Sequence, residues 1–156
     1  MSLFIYELIK LKLMKALLFL LPLLGLHSFT TKDNADAIVG IWKNGTGKGH
    51  IQIYKQNSRF YGKIIWLKDA LDATGKPKVD HKNADPDKRS HPLIGLVMLK
   101  DFKYDDGEWT DGRIYNPSDG KEYSAYMRLK DQRTLSVRGY IGFSLLGKTD
   151  TWTRVK

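Results

Sequence analysis

From residue 38 onward the chain shows almost no helical periodicity. It is cut instead into short segments rich in Val, Ile, Tyr, Trp and Thr, each bounded by Gly, Asn, Asp or Pro. Eight such segments can be read, at about 38–44, 49–55, 59–68, 95–104, 108–115, 121–130, 134–142 and 148–155. Their side chains alternate as strands require. Tyr123, Ala125, Met127 and Leu129 fall on one face, with Ser124, Tyr126 and Arg128 on the other. Leu135, Val137 and Ile141 oppose Ser136, Arg138 and Tyr140, and Ile51 and Ile53 oppose His50, Gln52 and Tyr54. A helix-covered parallel sheet would show continuous apolar runs separated by helical segments; neither occurs.

The links between segments are short. Asn44-Gly45 suits a tight turn with positive φ. Gln56-Asn57-Ser58, Asp105-Asp106-Gly107, Asn116 to Gly120 and Asp131-Gln132-Arg133 supply four more. Short links force antiparallel neighbours. The expected fold is therefore all-β, an eight-stranded antiparallel up-and-down barrel over residues 38–156. Closure removes the sheet edges that would otherwise aggregate. The interior of such a barrel is either just filled by side chains or just able to hold one small ligand. Only residues 69–94, rich in Asp, Lys and Pro, break the pattern as a long loop.

The first 28 residues differ from the rest. Lys10, Lys12 and Lys15 precede an apolar run from Ala16 to Leu26, and His27, Ser28 and a polar stretch follow. This is the pattern of a secretory signal peptide, with cleavage expected after Ser28 and a short flexible segment at 29–37. The run is 11 residues long, whereas a transmembrane helix needs roughly 20. The competing reading is a retained anchor beginning at Leu3. Export places the protein in the periplasm or outside the cell. The chain has no Cys, so such a fold relies on its core and not on disulfides, and thiolate metal sites are excluded.

Without residues 1–28 the chain keeps 23 basic and 16 acidic side chains, a net charge of +7. That excess favours anionic partners such as lipid headgroups, acidic glycans or carboxylated ligands. Nucleic acid is the usual partner of a basic domain, but export argues against it.

The densest polar cluster is Asp80, His81, Asn83, Asp85, Asp87, Arg89 and His91. Asn83, Asp85 and Asp87 imitate the start of a calcium loop. Lys88 then stands where the sharp-turn Gly belongs and Ile94 where the bidentate Glu belongs, so no metal site is expected. Three readings of the cluster remain: a loop that caps its own backbone and is pinned by Arg89, a lid over a ligand, or a catalytic centre around Asp85, Arg89 and His91. Gly45 to Gly49 resembles a phosphate loop but lacks the Ser or Thr after Lys48. No catalytic residue and no cofactor is assigned. Arg113-x-Tyr115 and Arg138-x-Tyr140 share a spacing. Turned inward, they would make a polar barrel end fit for a carboxylate; turned outward, they would be solvated or pair across strands.

Gly40-Ile41-Trp42 opens the first strand, and Trp152-Thr153-Arg154 closes the last. Here the chain resembles the lipocalin and calycin barrels. That resemblance implies that the Trp42 ring plugs one end of the barrel and that Arg154 packs over it, with a cation–π contact. A closer resemblance spans nearly the whole segment after residue 38. Gly40-Ile41-Trp42, Asn83 to Pro86, Arg89 to Leu96, Gly112 to Pro117, Gly120 to Tyr123 and Leu135 to Gly142 resemble the bacterial exported family termed domain of unknown function 2147. The resemblance implies export and supplies no catalytic assignment. His91 stands where the family pattern leads one to expect a second Arg.

The expected function is binding: a small amphipathic or anionic ligand held by the barrel, with Asn83, Asp85, Arg89, His91, Arg113, Tyr115, Arg138 and Tyr140 as candidate contacts. Trp42, Trp152 and Arg154 are expected to be structural. The alternative is an interaction module that docks on an envelope component through its basic surface or loop 69–94.

Overall fold

The computed structural model describes residues 35–156 of the chain. The expected signal segment 1–28 and residues 29–34 lie outside the described residues. Eight strands form: β1 (Gly40–Lys43), β2 (Gly49–Gln56), β3 (Arg59–Leu67), β4 (Val97–Asp105), β5 (Glu108–Asn116), β6 (Lys121–Asp131), β7 (Thr134–Tyr140) and β8 (Gly147–Arg154). Each pairs antiparallel with the next, and β8 returns to β1 through Trp42 opposite Arg154 and Lys43 opposite Thr153, so the barrel is closed. Among the described residues no helix is long and apolar enough to cross a membrane.

The departures from expectation have local causes. Ile38, expected in the first strand, ends a 3₁₀ turn, Ala35–Ile38. Residues 35–37, expected in a flexible segment, belong to the same turn. The β1–β2 turn takes its positive φ at Gly47, not at Asn44-Gly45. Asn44 works through its side chain instead, with Oδ1 accepting hydrogen bonds from the Lys48 and Gly49 N–H groups. β4 begins two residues later than expected because Gly95 sits at φ 95 and turns the chain into the strand. β7 stops at Tyr140, which leaves Ile141 in the following turn and exposed, not on the inner face.

The core fills one end of the barrel. Trp42, Trp109, Trp152, Phe60, Phe102, Leu99, Met127 and Leu135 are buried there, with Ile38 beneath them. Such large rings fit because small residues face them: a Cβ on Gly112 would collide with the Phe102 ring, and one on Gly62 with Leu99. Next to Gly112, Asp111 takes φ 56 where the β5–β6 register shifts between Trp109 and Gly112. The shift is a bulge that bends the strand around the ring.

Candidate functional site

The 3₁₀ turn, the C-terminus and the links β2–β3, β4–β5 and β6–β7 share the filled end. Three interactions seal it. The Trp42 indole donates to the Ile38 carbonyl at 2.8 Å. The Arg154 guanidinium lies 4.1 Å from the Trp42 ring centroid. Its nitrogens donate to the carbonyls of Gln132 at 2.7 Å, Val39 at 2.9 Å and Ala37 at 2.5 Å. Burial lowers the pKa of this guanidinium, though a group of that type stays charged.

The opposite end is open. The side chains that fill the lower barrel stop short of it and leave a cavity of about 490 Å³ between the β1–β2, β5–β6 and β7–β8 turns. Its floor and walls are Met98, Ile114, Val137 and Trp152. Its rim is polar, with Asn44, Asn116, Asp119, Tyr123, Lys148 and Asp150. The two rim carboxylates are already engaged. Asp150 Oδ2 accepts from the Trp152 indole at 2.8 Å and from Gly45 N–H at 3.2 Å. Asp119 accepts from the Tyr123 hydroxyl at 2.7 Å and from Lys121 N–H at 3.0 Å. Burial pushes its pKa up, but the Tyr123, Lys121 and Asn116 hydrogen bonds outweigh that and hold it below the usual range. Asp119 in turn raises the Tyr123 phenol. Lys148 is the only cation among the lining residues.

The candidate residues named from the sequence do not form one site. Arg113 is exposed on the outer face and donates to Ser124 Oγ at 3.2 Å. Arg138 is also outward; it binds the Ser144 and Leu145 carbonyls at 2.9 and 3.2 Å and Thr149 Oγ1 at 2.9 Å. The inward polar end that these pairs would have made is therefore absent. The physical reason is parity: Gly112, Ile114, Val137 and Gly139 hold the inner positions. Tyr115 and Tyr140 border the mouth without reaching the floor.

Asn83, Asp85, Arg89 and His91 sit in the 69–94 loop and do not line the cavity. Their bonds are internal to the loop. Asn83 Nδ2 donates to Asp80 Oδ2 at 2.6 Å, and Asn83 Oδ1 accepts from Asp85 N–H at 2.9 Å. Asp85 caps a 3₁₀ turn, Pro86–Lys88, by accepting from Asp87 N–H, and Lys88 beside it holds its carboxyl below the usual range. Arg89 Nε donates to the Asn83 carbonyl at 2.8 Å, and the His91 carbonyl accepts from Asp80 N–H at 2.9 Å. The loop is anchored sideways. Asp80, 1% exposed, accepts from the Tyr115 hydroxyl at 2.8 Å, and Lys82 Nζ donates to the Ser118 carbonyl at 2.7 Å. It is a brace on the β5–β6 turn, not a cover over the mouth. Among the described residues no three His, Cys, Asp or Glu side chains are grouped to hold a metal.

What sequence reasoning missed is the mouth. In an up-and-down barrel the links β1–β2, β3–β4, β5–β6 and β7–β8 share one end. Inner positions near those links, such as Ile114, Val137 and Lys148, were the available signal.

A search of solved structures finds a match to protein HP1028 from Helicobacter pylori, described as belonging to the lipocalin family. The TM-score is 0.67 and the identity 26%, covering 76% of this chain and 82% of that one. A comparison with curated proteins gives no match. The profile of the uncharacterized protein family conserved in bacteria, domain of unknown function 2147, matches residues 40–154. With that match running from the glycine before Trp42 to Arg154, the chain belongs to the domain of unknown function 2147 family.

Proposed function

We propose that this protein is an exported carrier that holds one small amphipathic molecule in the barrel mouth. The observation that carries the reading is the cavity of about 490 Å³, apolar at its floor and polar at its rim. Ligand sites commonly measure about 300–1,000 Å³, with apolar walls and a few convergent polar groups. An apolar tail would lie against Ile114, Val137 and Trp152, and a polar head would meet Asn116, Tyr123 and Lys148. The likeness to a lipocalin-family protein supports the same reading. Export rests on the pattern of residues 1–28.

The head is better read as neutral or zwitterionic than as anionic. The basic excess of the chain lies mostly outside the cavity, and its rim carries two carboxylates against one ammonium. A doubly charged anion would meet Asp119 and Asp150 at close range, where a low dielectric magnifies repulsion.

The test is native mass spectrometry of protein purified from its own cells, followed by titration of the delipidated protein with a fluorescent monoacylglycerol analogue, whose head is neutral. The expected result is one molecule bound per chain, with binding lost in Ile114→Trp, which fills the mouth. Equal binding by Ile114→Trp, or no binding by a folded wild type, would refute the reading.

A further inference from the structure

The turn joining β7 to β8 is the most apolar exposed feature among the described residues. Ile141, Phe143, Leu145 and Leu146 are 67, 80, 88 and 72% exposed. Apolar side chains occur singly on any surface, but four in six residues at one protruding tip require an explanation. We propose that this tip inserts into the surface of a lipid bilayer that contains anionic lipids, with the barrel mouth facing the membrane.

The backbone of the tip is prepared for an apolar medium. Four consecutive carbonyls have donors within the chain: Phe143 accepts from Leu146 N–H, Ser144 and Leu145 from the Arg138 guanidinium, and Leu146 from Ile141 N–H. An unpaired carbonyl resists transfer out of water, and these are paired beforehand. Arg138 thereby shapes the tip through neutral acceptors only, so its charge stays available.

The charge on the tip hairpin itself is complementary to an anionic surface. Across the hairpin that carries the tip, residues 134–149, the chain contains Arg138 and Lys148 and no acidic residue. The two carboxylates of the neighbouring rim are engaged by other donors, Asp150 by the Trp152 indole and Gly45 N–H and Asp119 by the Tyr123 hydroxyl and Lys121 N–H. Behind the apolar residues Tyr126 and Tyr140 lie together on the outer face, with ring centroids 6.3 Å apart. An apolar end followed by tyrosines and bases is the order found at membrane interfaces.

Shape favours a bilayer over a protein. A standard protein–protein interface needs roughly 800 Å² from each partner, in a broad patch with an apolar centre and polar rim. A single hairpin tip is narrow and convex. Ile141 and Leu146 also line the mouth cavity, so insertion would bring the cavity to the lipid surface. Insertion itself does not depend on a ligand there.

The absence of Cys makes a direct test simple. Phe143→Cys and Leu145→Cys, each carrying an environment-sensitive nitrobenzoxadiazole label, would be compared with Ser58→Cys at the opposite end of the barrel. Vesicles of phosphatidylcholine containing phosphatidylglycerol should give a blue shift and a severalfold rise in emission at 143 and 145, with none at 58. The signal should weaken in high salt, on vesicles without phosphatidylglycerol, and in Lys148→Glu. An unchanged spectrum at 143 and 145 would overturn the proposal, even if the protein binds vesicles by another segment. A shift that depends on protein concentration and not on vesicles would also overturn it, assigning the tip to contact between copies. Loss of monoacylglycerol binding in Ile114→Trp with insertion intact would separate this proposal from the carrier reading.

Discussion

The guanidinium of Arg154 lies 4.1 Å above the centroid of the Trp42 ring while its three nitrogens donate to the backbone carbonyls of Gln132, Val39 and Ala37. One side chain thus ties the last strand to the first, to the 3₁₀ turn and to the β6–β7 link. Arg154→Ala should leave Trp42 uncovered and three carbonyls without their donor, at a cost of about 2–4 kcal/mol. Arg154→Lys should recover only part of this, because an ammonium cannot serve three directions in one plane while lying flat on a ring. Urea unfolding followed by Trp fluorescence would measure both. Equal stability of the Lys variant and wild type would show that charge alone matters.

Gly112 and Phe102 stand in a second tight relationship, since a Cβ on the glycine would enter the ring. Gly112→Ala should therefore cost about 3 kcal/mol, at the upper end of overpacking penalties. The Phe102→Leu change alone should also destabilise, by opening space. Combining the two should lose less than the sum of the single losses, a coupling readable in a double-mutant cycle. Additive losses would mean that ring and glycine do not share the strain.

Much of the barrel was legible in the sequence because its rule is local. Strand alternation and turn chemistry need only neighbouring residues, and β2, β3 and β6 lie close to their expected bounds. The placement of polar side chains was harder. Arg138 could be assigned to a strand, but its partners in the turn at 144–145 depend on where β7 stops, and Ile141 continued the apolar alternation one step past that point. Loop 69–94 is rich in Asp and Asn because these residues satisfy backbone groups at close range. That composition looks the same whether a loop covers a cavity or braces a turn. The deciding contact, Asp80 to Tyr115, joins residues 35 positions apart. The mouth cavity was hidden for a different reason: empty space has no residue type of its own.

Arg138 supplies a third prediction. Its guanidinium holds the Ser144 and Leu145 carbonyls, and its partner Thr149 sits across the hairpin. Arg138→Ala should free the tip while leaving the barrel almost intact, because the side chain is half-buried on the outer face and away from the core. Global stability should fall by about 1 kcal/mol or less. Amide exchange at 142–146 should accelerate by tenfold or more, the equivalent of about 1.4 kcal/mol of local protection. Unchanged exchange there would show that the turn is held by its own backbone bonds.

The fourth prediction concerns alkaline pH and the brace. Tyr115 is 7% exposed and donates to the buried Asp80 carboxylate. Burial, and then that hydrogen bond and charge, push its phenol from the ordinary 10 up to about 12. Between those two values the unfolded chain releases the proton while the folded chain keeps it. The unfolded state then binds fewer protons, so stability falls as pH rises through this window. A shift of that size corresponds to a loss of up to about 2.7 kcal/mol. Tyr115→Phe removes the ionisation and also removes a donor from Asp80. Near neutral pH the variant should be less stable by about 1–2 kcal/mol. As pH climbs from 10 toward 12, wild type should lose its advantage and the two curves should converge. The raised phenols of Tyr61 and Tyr123 remain in both proteins, so the difference between the curves reports Tyr115 alone. Denaturant midpoints taken across that pH range would decide, and parallel curves would show that Tyr115 is open to solvent and does not brace the loop.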